Sequence, residues 1–124
     1  MAKRTIVALP GDGIGAVVLK QALRVLDASG FDADYIYGDI GWDFWCSEGN
    51  PLPQRTLDLI AEHKIALFGA ITSKPKEEAA AELSPALQGK GYTYSSPIVG
   101  LRQHFGLDIC VRPCRSYKGN PLNF

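Results

Sequence analysis

Gly11-Asp12-Gly13-Ile14-Gly15-Ala16 fits a G-x-G-x-x-A turn, and Asp39 lies downstream near the end of the next strand-like run. In a dinucleotide fingerprint such glycines let backbone N–H groups reach a pyrophosphate at a helix N-terminus, and the later acid meets a ribose hydroxyl. Two features resist that chemistry. Asp12 sets a carboxylate between the first two glycines, where a doubly anionic ligand would lie, and Gly15 falls one place early for the third glycine. The alternative is a tight strand-to-helix turn with Asp12 near the helix start, where its charge suits the helix dipole. The turn by itself leaves both readings open.

Charge is the second chemical signal. Thirteen Lys/Arg balance thirteen Asp/Glu overall, yet residues 1–88 carry eight cations against twelve acids. Residues 89–124 carry Lys90, Arg102, Arg112, Arg115 and Lys118 against Asp108 alone. Such a tail could face an anionic ligand or an acidic neighbouring element, or serve nothing in particular. With a pI of about 6.7 and no Lys/Arg run, nucleic acid is a poor partner. His63 and His104 are too few and too far apart for a metal or a triad, and read as surface or helix-end residues. Cys46, Cys110 and Cys114 are odd in number and lack metal-ligand spacing, which suits a reducing, cytoplasmic setting.

The elements that must position these groups come next. The 124 residues are 46% hydrophobic and 21% charged with a mean hydropathy of -0.03, a globular composition that excludes disorder. No apolar run reaches the roughly 18 residues that a membrane span needs. From Met1 the chain runs straight into a strand, with no signal-peptide pattern. Thr5–Leu9 is a buried strand stopped by Pro10-Gly11. Ile14, Val17, Val18, Ala22, Val25 and Leu26 then recur at helical steps, predicting a helix with that stripe inward and a stop at Ser29-Gly30. Tyr35–Tyr37 is a second strand. Ile40–Cys46 is a short helix carrying Trp42 and Trp45 as core or interface aromatics, and Pro53 opens another helix with Leu57, Ile60 and Ala61. Lys64–Gly69 is a third strand, so the order β-α-β-α-β argues for an α/β fold with a mainly parallel sheet. Lys76–Leu83 reads as helix and Gln88–Ser95 as loop. Ser96-Pro97 opens a short helix reaching Phe105. Leu107–Cys114 reads as a fourth strand limited by Pro113, with Cys110 and Cys114 packing on one of its faces.

Several motifs together carry a resemblance. Leu9-Pro10-Gly11-Asp12-Gly13-Ile14-Gly15 resembles the opening motif of the β-decarboxylating dehydrogenases, the isocitrate/isopropylmalate dehydrogenase family. Phe68-Gly69-Ala70-Ile71-Thr72-Ser73 resembles that family's strand-end loop. Leu101-Arg102-Gln103, Leu107-Asp108 and Val111-Arg112-Pro113-Cys114 resemble its substrate-binding stretch, with the two arginines ten residues apart. Where the family usually carries a Glu after the glycine turn, this chain has Ala16-Val17-Val18.

The resemblance implies an oxidative decarboxylase. A 2-hydroxy group passes hydride to NAD or NADP, and the resulting 3-carboxylated ketone loses carbon dioxide, with Mg or Mn as metal. The substrate is a small polycarboxylate. Arg102 and Arg112 are implied to hold its carboxylates, because planar guanidinium forks bind carboxylates bidentately where lysine cannot. Ser96 and Ile98 are implied to meet the variable third substituent, Ser96 favouring a polar one and Ile98 an apolar one. Thr72 is implied to approach the nicotinamide ribose. Each has a plainer reading: surface ion pairs for the arginines, a helix N-cap for Ser96, loop hydrogen bonding for Thr72. The family is some three times longer than residues 1–124, which are therefore expected to be its N-terminal segment. No catalytic or metal-binding residue of the family falls within them. Full-length relatives are homodimers. The segment alone is expected to be inactive and to leave a sheet edge and an apolar face uncovered.

Overall fold

The computed structural model describes residues 3–121. Met1 and Ala2, which lead into the first strand, and Leu122–Phe124, where the resemblance expects continuation, lie outside the described residues. Strand β1 (Arg4–Gly11) is central, flanked by β2 (Ala33–Tyr37) and β3 (Ala66–Ala70) in the order β2-β1-β3. Both pairings are parallel, with Ile6 opposite Tyr35 and Leu9 opposite Phe68. The continuous apolar run Ile6–Leu9 is buried because helices cover both faces of the sheet. Ala8 meets Leu19 and Leu23 of α1 (Ile14–Ala28) on one face. Val7 and Leu9 meet Ile60 of α3 (Gln54–His63) on the other, along with Ile40 and Leu52. The second face is extended by α5 (Pro97–His104), whose Ile98 and Leu101 pack against it. A separate cluster joins Trp42 and Trp45 of α2 (Trp42–Glu48) to Ala79 of α4 (Lys76–Ala81), Leu83 and Tyr94. The expected α/β order and parallel sheet are therefore present, and both tryptophans are core. His63 and His104 each end a helix.

Helix α1 stops as expected. Phe31 N–H bonds the Leu26 carbonyl and Gly30 N–H bonds that of Asp27, with Gly30 at φ 76°. This is the paired closure that a left-handed glycine permits.

Two expectations are corrected. The inward stripe of α1 is Gly15, Leu19 and Leu23, joined as expected by Leu26, while Ile14, Val18 and Val25 are 65%, 51% and 68% exposed. The helix is apolar around much of its circumference, and Gly15 decides which side turns in. A Cβ there would lie 2.3 Å from the Pro10 oxygen and 2.6 Å from that of Ala70, so the helix sits closest to the strand ends at Gly15. Leu19 and Leu23 follow it at four-residue steps.

Leu107–Cys114 is not a strand either. It is irregular and exposed, with Ile109 at 81% and Val111 at 79%, so Cys110 and Cys114 pack in no core. Alternating apolar residues form a strand only where an edge pairs with them and a face is covered. As expected, apolar surface stays open along α1, and β2 and β3 each pair on one side only among the described residues. No helix among these residues is long and apolar enough to cross a membrane.

Candidate functional site

Parallel strands bring their carboxyl ends to one edge, so the chain after β1, β2 and β3 converges there. With the order β2-β1-β3 the connections diverge on either side of β1, at the kind of switch point where open α/β sheets hold ligands. The backbones there are in close contact. A Cβ on Gly11 would lie 1.8 Å from the Ala70 oxygen, and one on Gly69 would lie 2.5 Å from that of Pro10. Gly11 and Gly15 therefore serve strand-to-helix packing.

Asp12 closes this junction. Its N–H donates to the Ala70 carbonyl at 2.8 Å. Its carboxylate accepts the Trp42 N–H at 2.7 Å and the Thr72 N–H at 2.9 Å. Trp42 is the first residue of α2, so Asp12 serves the N-terminus of that helix rather than of α1, which has no side-chain cap. This corrects the expected dipole partner. Gly41, at φ 120°, faces the carboxylate so closely that a Cβ would lie 2.4 Å from Asp12 Oδ1.

Thr72 is exposed, and its carbonyl accepts the Tyr94 hydroxyl at 3.3 Å. Tyr94 is buried against Trp42 and, edge-on, against Trp45, with ring centres 5.0 and 5.4 Å away. The Trp42 indole N–H donates to Glu82 at 2.7 Å, and Glu82 pairs with Lys74, whose ammonium lies 5.3 Å from the centre of the Trp42 ring. The Lys74 ammonium and then the Trp42 indole hold the Glu82 carboxyl below its ordinary range, while Glu82 raises Lys74. Burial, followed by the charge of Glu82, pushes the Cys46 thiol up.

Ser96, two residues beyond Tyr94, stands at the N-cap of α5, but its hydroxyl makes no capping bond. Ile98 packs against the core. Arg102 is exposed at the far end of α5 and lines a cleft of about 200 Å³ with Leu107, Asp108, Ile109 and Cys110. Arg112 is exposed, and its Nε donates to Cys110 Sγ at 3.2 Å. Thr72 and the start of α5 are thus joined through Tyr94, whereas Cys110 both lines the cleft of Arg102 and accepts from Arg112. Asp39 is committed elsewhere: Arg55 Nε donates to its carboxylate at 2.6 Å, and the buried Thr56 hydroxyl bonds its backbone N–H and carbonyl. Arg55 also grips Glu48 through both terminal nitrogens, which lowers the Glu48 carboxyl.

Sequence reasoning missed Tyr94, Lys74 and Glu82. Tyr94 carried no local signal that separates it from Tyr92 and Tyr117, which also lie outside helices and strands and are exposed.

A model of the isocitrate/isopropylmalate dehydrogenase family matches residues 5–123. The chain belongs to that family. Protein DlpA of Legionella pneumophila is 47% identical over 121 residues, covering 96% of this chain and 20% of that protein. The 3-isopropylmalate dehydrogenase of Desulfotalea psychrophila is 39% identical, covering 93% of this chain and 31% of that enzyme. Among solved structures, the apo β-decarboxylating dehydrogenase of Thermococcus kodakarensis superposes with a TM-score of 0.62 at 29% identity, over 83% of this chain and 27% of that one. The chain thus spans less than a third of the length of these relatives. Among its described residues no group of three His, Cys, Asp or Glu side chains could hold a metal, so they do not by themselves fit a divalent cation.

Proposed function

We propose that residues 1–124 form the N-terminal segment of a dehydrogenase-like domain that serves oxidative decarboxylation of a 2-hydroxy di- or tricarboxylic acid of the isocitrate or 3-isopropylmalate type. In this reading Arg102 and Arg112 bind carboxylates, Ser96 and Ile98 meet the third substituent, and Thr72 approaches the nicotinamide ribose of NAD or NADP. Ligands for Mg or Mn come from outside the described residues, and the complete enzyme is a homodimer acting in the cytoplasm. The segment alone turns over no substrate, because proton-transfer and positioning groups act as a unit.

One observation carries the reading: Asp12, Thr72 and Tyr94 tie the turn after β1, the loop after β3 and the start of α5 together at the carboxyl edge of a parallel sheet. The alternative, a dinucleotide module at Gly11–Ala16, has less support. The carboxylate of Asp12, within that turn, already accepts the Trp42 N–H and the Thr72 N–H. Isothermal titration with isocitrate, 3-isopropylmalate and malate tests the proposal. Heat with isocitrate assigns the third substituent to Ser96, and heat with isopropylmalate assigns it to Ile98. No heat with any of them, together with NADH quenching of tryptophan that Gly13→Val abolishes, favours the alternative.

A further inference from the structure

Four contacts close a circuit at the carboxyl edge of the sheet. Asp12 accepts the N–H of Thr72 at 2.9 Å and that of Trp42 at 2.7 Å. The Trp42 ring packs against Tyr94 with centres 5.0 Å apart, and the Tyr94 hydroxyl donates to the Thr72 carbonyl at 3.3 Å. Three members of the circuit are also held from outside it. Asp12 N–H bonds the Ala70 carbonyl, and the Trp42 indole bonds Glu82. Tyr94 meets Trp45 edge-on, and the Trp45 indole donates to the Ala79 carbonyl at 2.8 Å. Tyr94 is only 6% exposed, so packing fixes its ring and with it the direction of its hydroxyl. A buried phenol needs a hydrogen-bond partner, and the Thr72 carbonyl supplies one. Both main-chain polar groups of Thr72 are therefore used inside the chain, which leaves its hydroxyl for a ligand.

We propose that Tyr94 is a positioning residue for the ligand site, acting through Thr72. The inference rests on the reading in which Thr72 approaches the nicotinamide ribose. Asp12 fixes only the amide side of Thr72 and leaves the following peptide group free to turn. The Tyr94 hydroxyl removes that freedom by taking the carbonyl. The Thr72 hydroxyl is then held in one orientation before a dinucleotide arrives, so less freedom is lost on binding. Tyr94 itself touches no ligand in this arrangement. Its ring and its oxygen have separable roles: the ring packs with Trp42 and Trp45 whether or not the oxygen is present, and the oxygen alone reaches Thr72.

The test compares the full chain with Tyr94→Phe, which removes the oxygen and keeps the ring, and with Tyr92→Phe, which alters an exposed tyrosine two positions earlier. Isothermal titration with NADH, and separately with isocitrate and 3-isopropylmalate, reads affinity. The carbonyl carbon resonance of Thr72 reads the hydrogen bond directly. Tyr94→Phe is expected to weaken NADH about fivefold, the scale of one neutral hydrogen bond, and to leave polycarboxylate affinity within about twofold. The Thr72 resonance should shift in Tyr94→Phe alone, and Tyr92→Phe should match the unaltered chain throughout. A general loosening would weaken both kinds of ligand alike, so equal losses overturn the proposal. Unchanged NADH affinity or an unmoved Thr72 resonance in Tyr94→Phe does the same, as does a Tyr94→Phe chain that fails to fold, since the hydroxyl would then serve the fold. If the unaltered chain takes up no NADH or no polycarboxylate, the reading of the site falls and this inference with it, while the resonance shows separately whether the hydrogen bond exists.

Discussion

Asp12 accepts the main-chain N–H of Trp42 at 2.7 Å across 30 positions of sequence. Its second oxygen takes the N–H of Thr72, 60 positions away, at 2.9 Å. One half-buried carboxylate therefore fixes the spacing of the segments that follow all three strands. The negative charge suits this place because Trp42 opens α2, and amide donors at a helix start are otherwise unpaired.

Asp12→Ala should cost about 2–3 kcal/mol, the range for charge-assisted hydrogen bonds whose loss strands their donors. Asp12→Asn should cost nearly as much, because its NH₂ would face one of the two amide donors. Urea denaturation followed by circular dichroism measures both. A loss below about 0.5 kcal/mol for either variant would remove Asp12 as the tie.

The glycines of the same turn should separate by role. Gly15→Ala drives a Cβ into the backbone oxygens of Pro10 and Ala70, at 2.3 and 2.6 Å, and should cost more than about 4 kcal/mol or prevent folding. Gly13 has nothing within 4 Å and needs only its φ of 53°. Gly13→Ala should therefore cost about 1–3 kcal/mol, the penalty for holding a side-chain-bearing residue in a sparsely populated backbone region. Thermal melts of the two variants rank them, and equal losses would contradict the packing role of Gly15.

Legibility in the sequence followed the range of the interactions. Thr5–Leu9 and Ser29-Gly30 were readable because burial on both faces and helix closure leave marks within a few residues. The partners of Asp12 lie too far along the chain for local pattern to reveal them, so its charge pointed to the nearest helix instead. The 107–114 stretch carries strand-like alternation, but alternation does not supply an edge to pair with. The motifs around Thr72 and Arg102 identified a family correctly, yet they do not encode that Ile98 turns to the core while Arg102 faces a small cleft.

Helix α1 tests the reassigned stripe. Val18→Lys and Val25→Lys alter side chains 51% and 68% exposed, and should leave the melting temperature within a few degrees while raising the monomer fraction in sedimentation. Leu19→Ala, by contrast, opens a cavity beneath the sheet and should cost about 2–5 kcal/mol. If the lysines destabilise as much as Leu19→Ala, the outward face of α1 has been misassigned.

Acid and alkali should act on opposite members of one pair beside Trp42. The Glu82 carboxyl sits below its ordinary range, first through Lys74 and then through the Trp42 indole. Its contribution is therefore complete above the pKa of an unfolded glutamate and is lost as pH falls through the lower folded value. Lys74 is raised by Glu82, so its contribution is complete below the pKa of an unfolded lysine and is lost as pH rises through the higher folded value. Between those limits the indole N–H resonance of Trp42 should hold steady, because its acceptor keeps its charge. It should shift on the acid flank. In Glu82→Gln, which keeps an oxygen acceptor but has no proton to gain, that acid shift should vanish. A Trp42 resonance that moves identically in both proteins, or only where the whole chain unfolds, would show that Glu82 does not govern the indole.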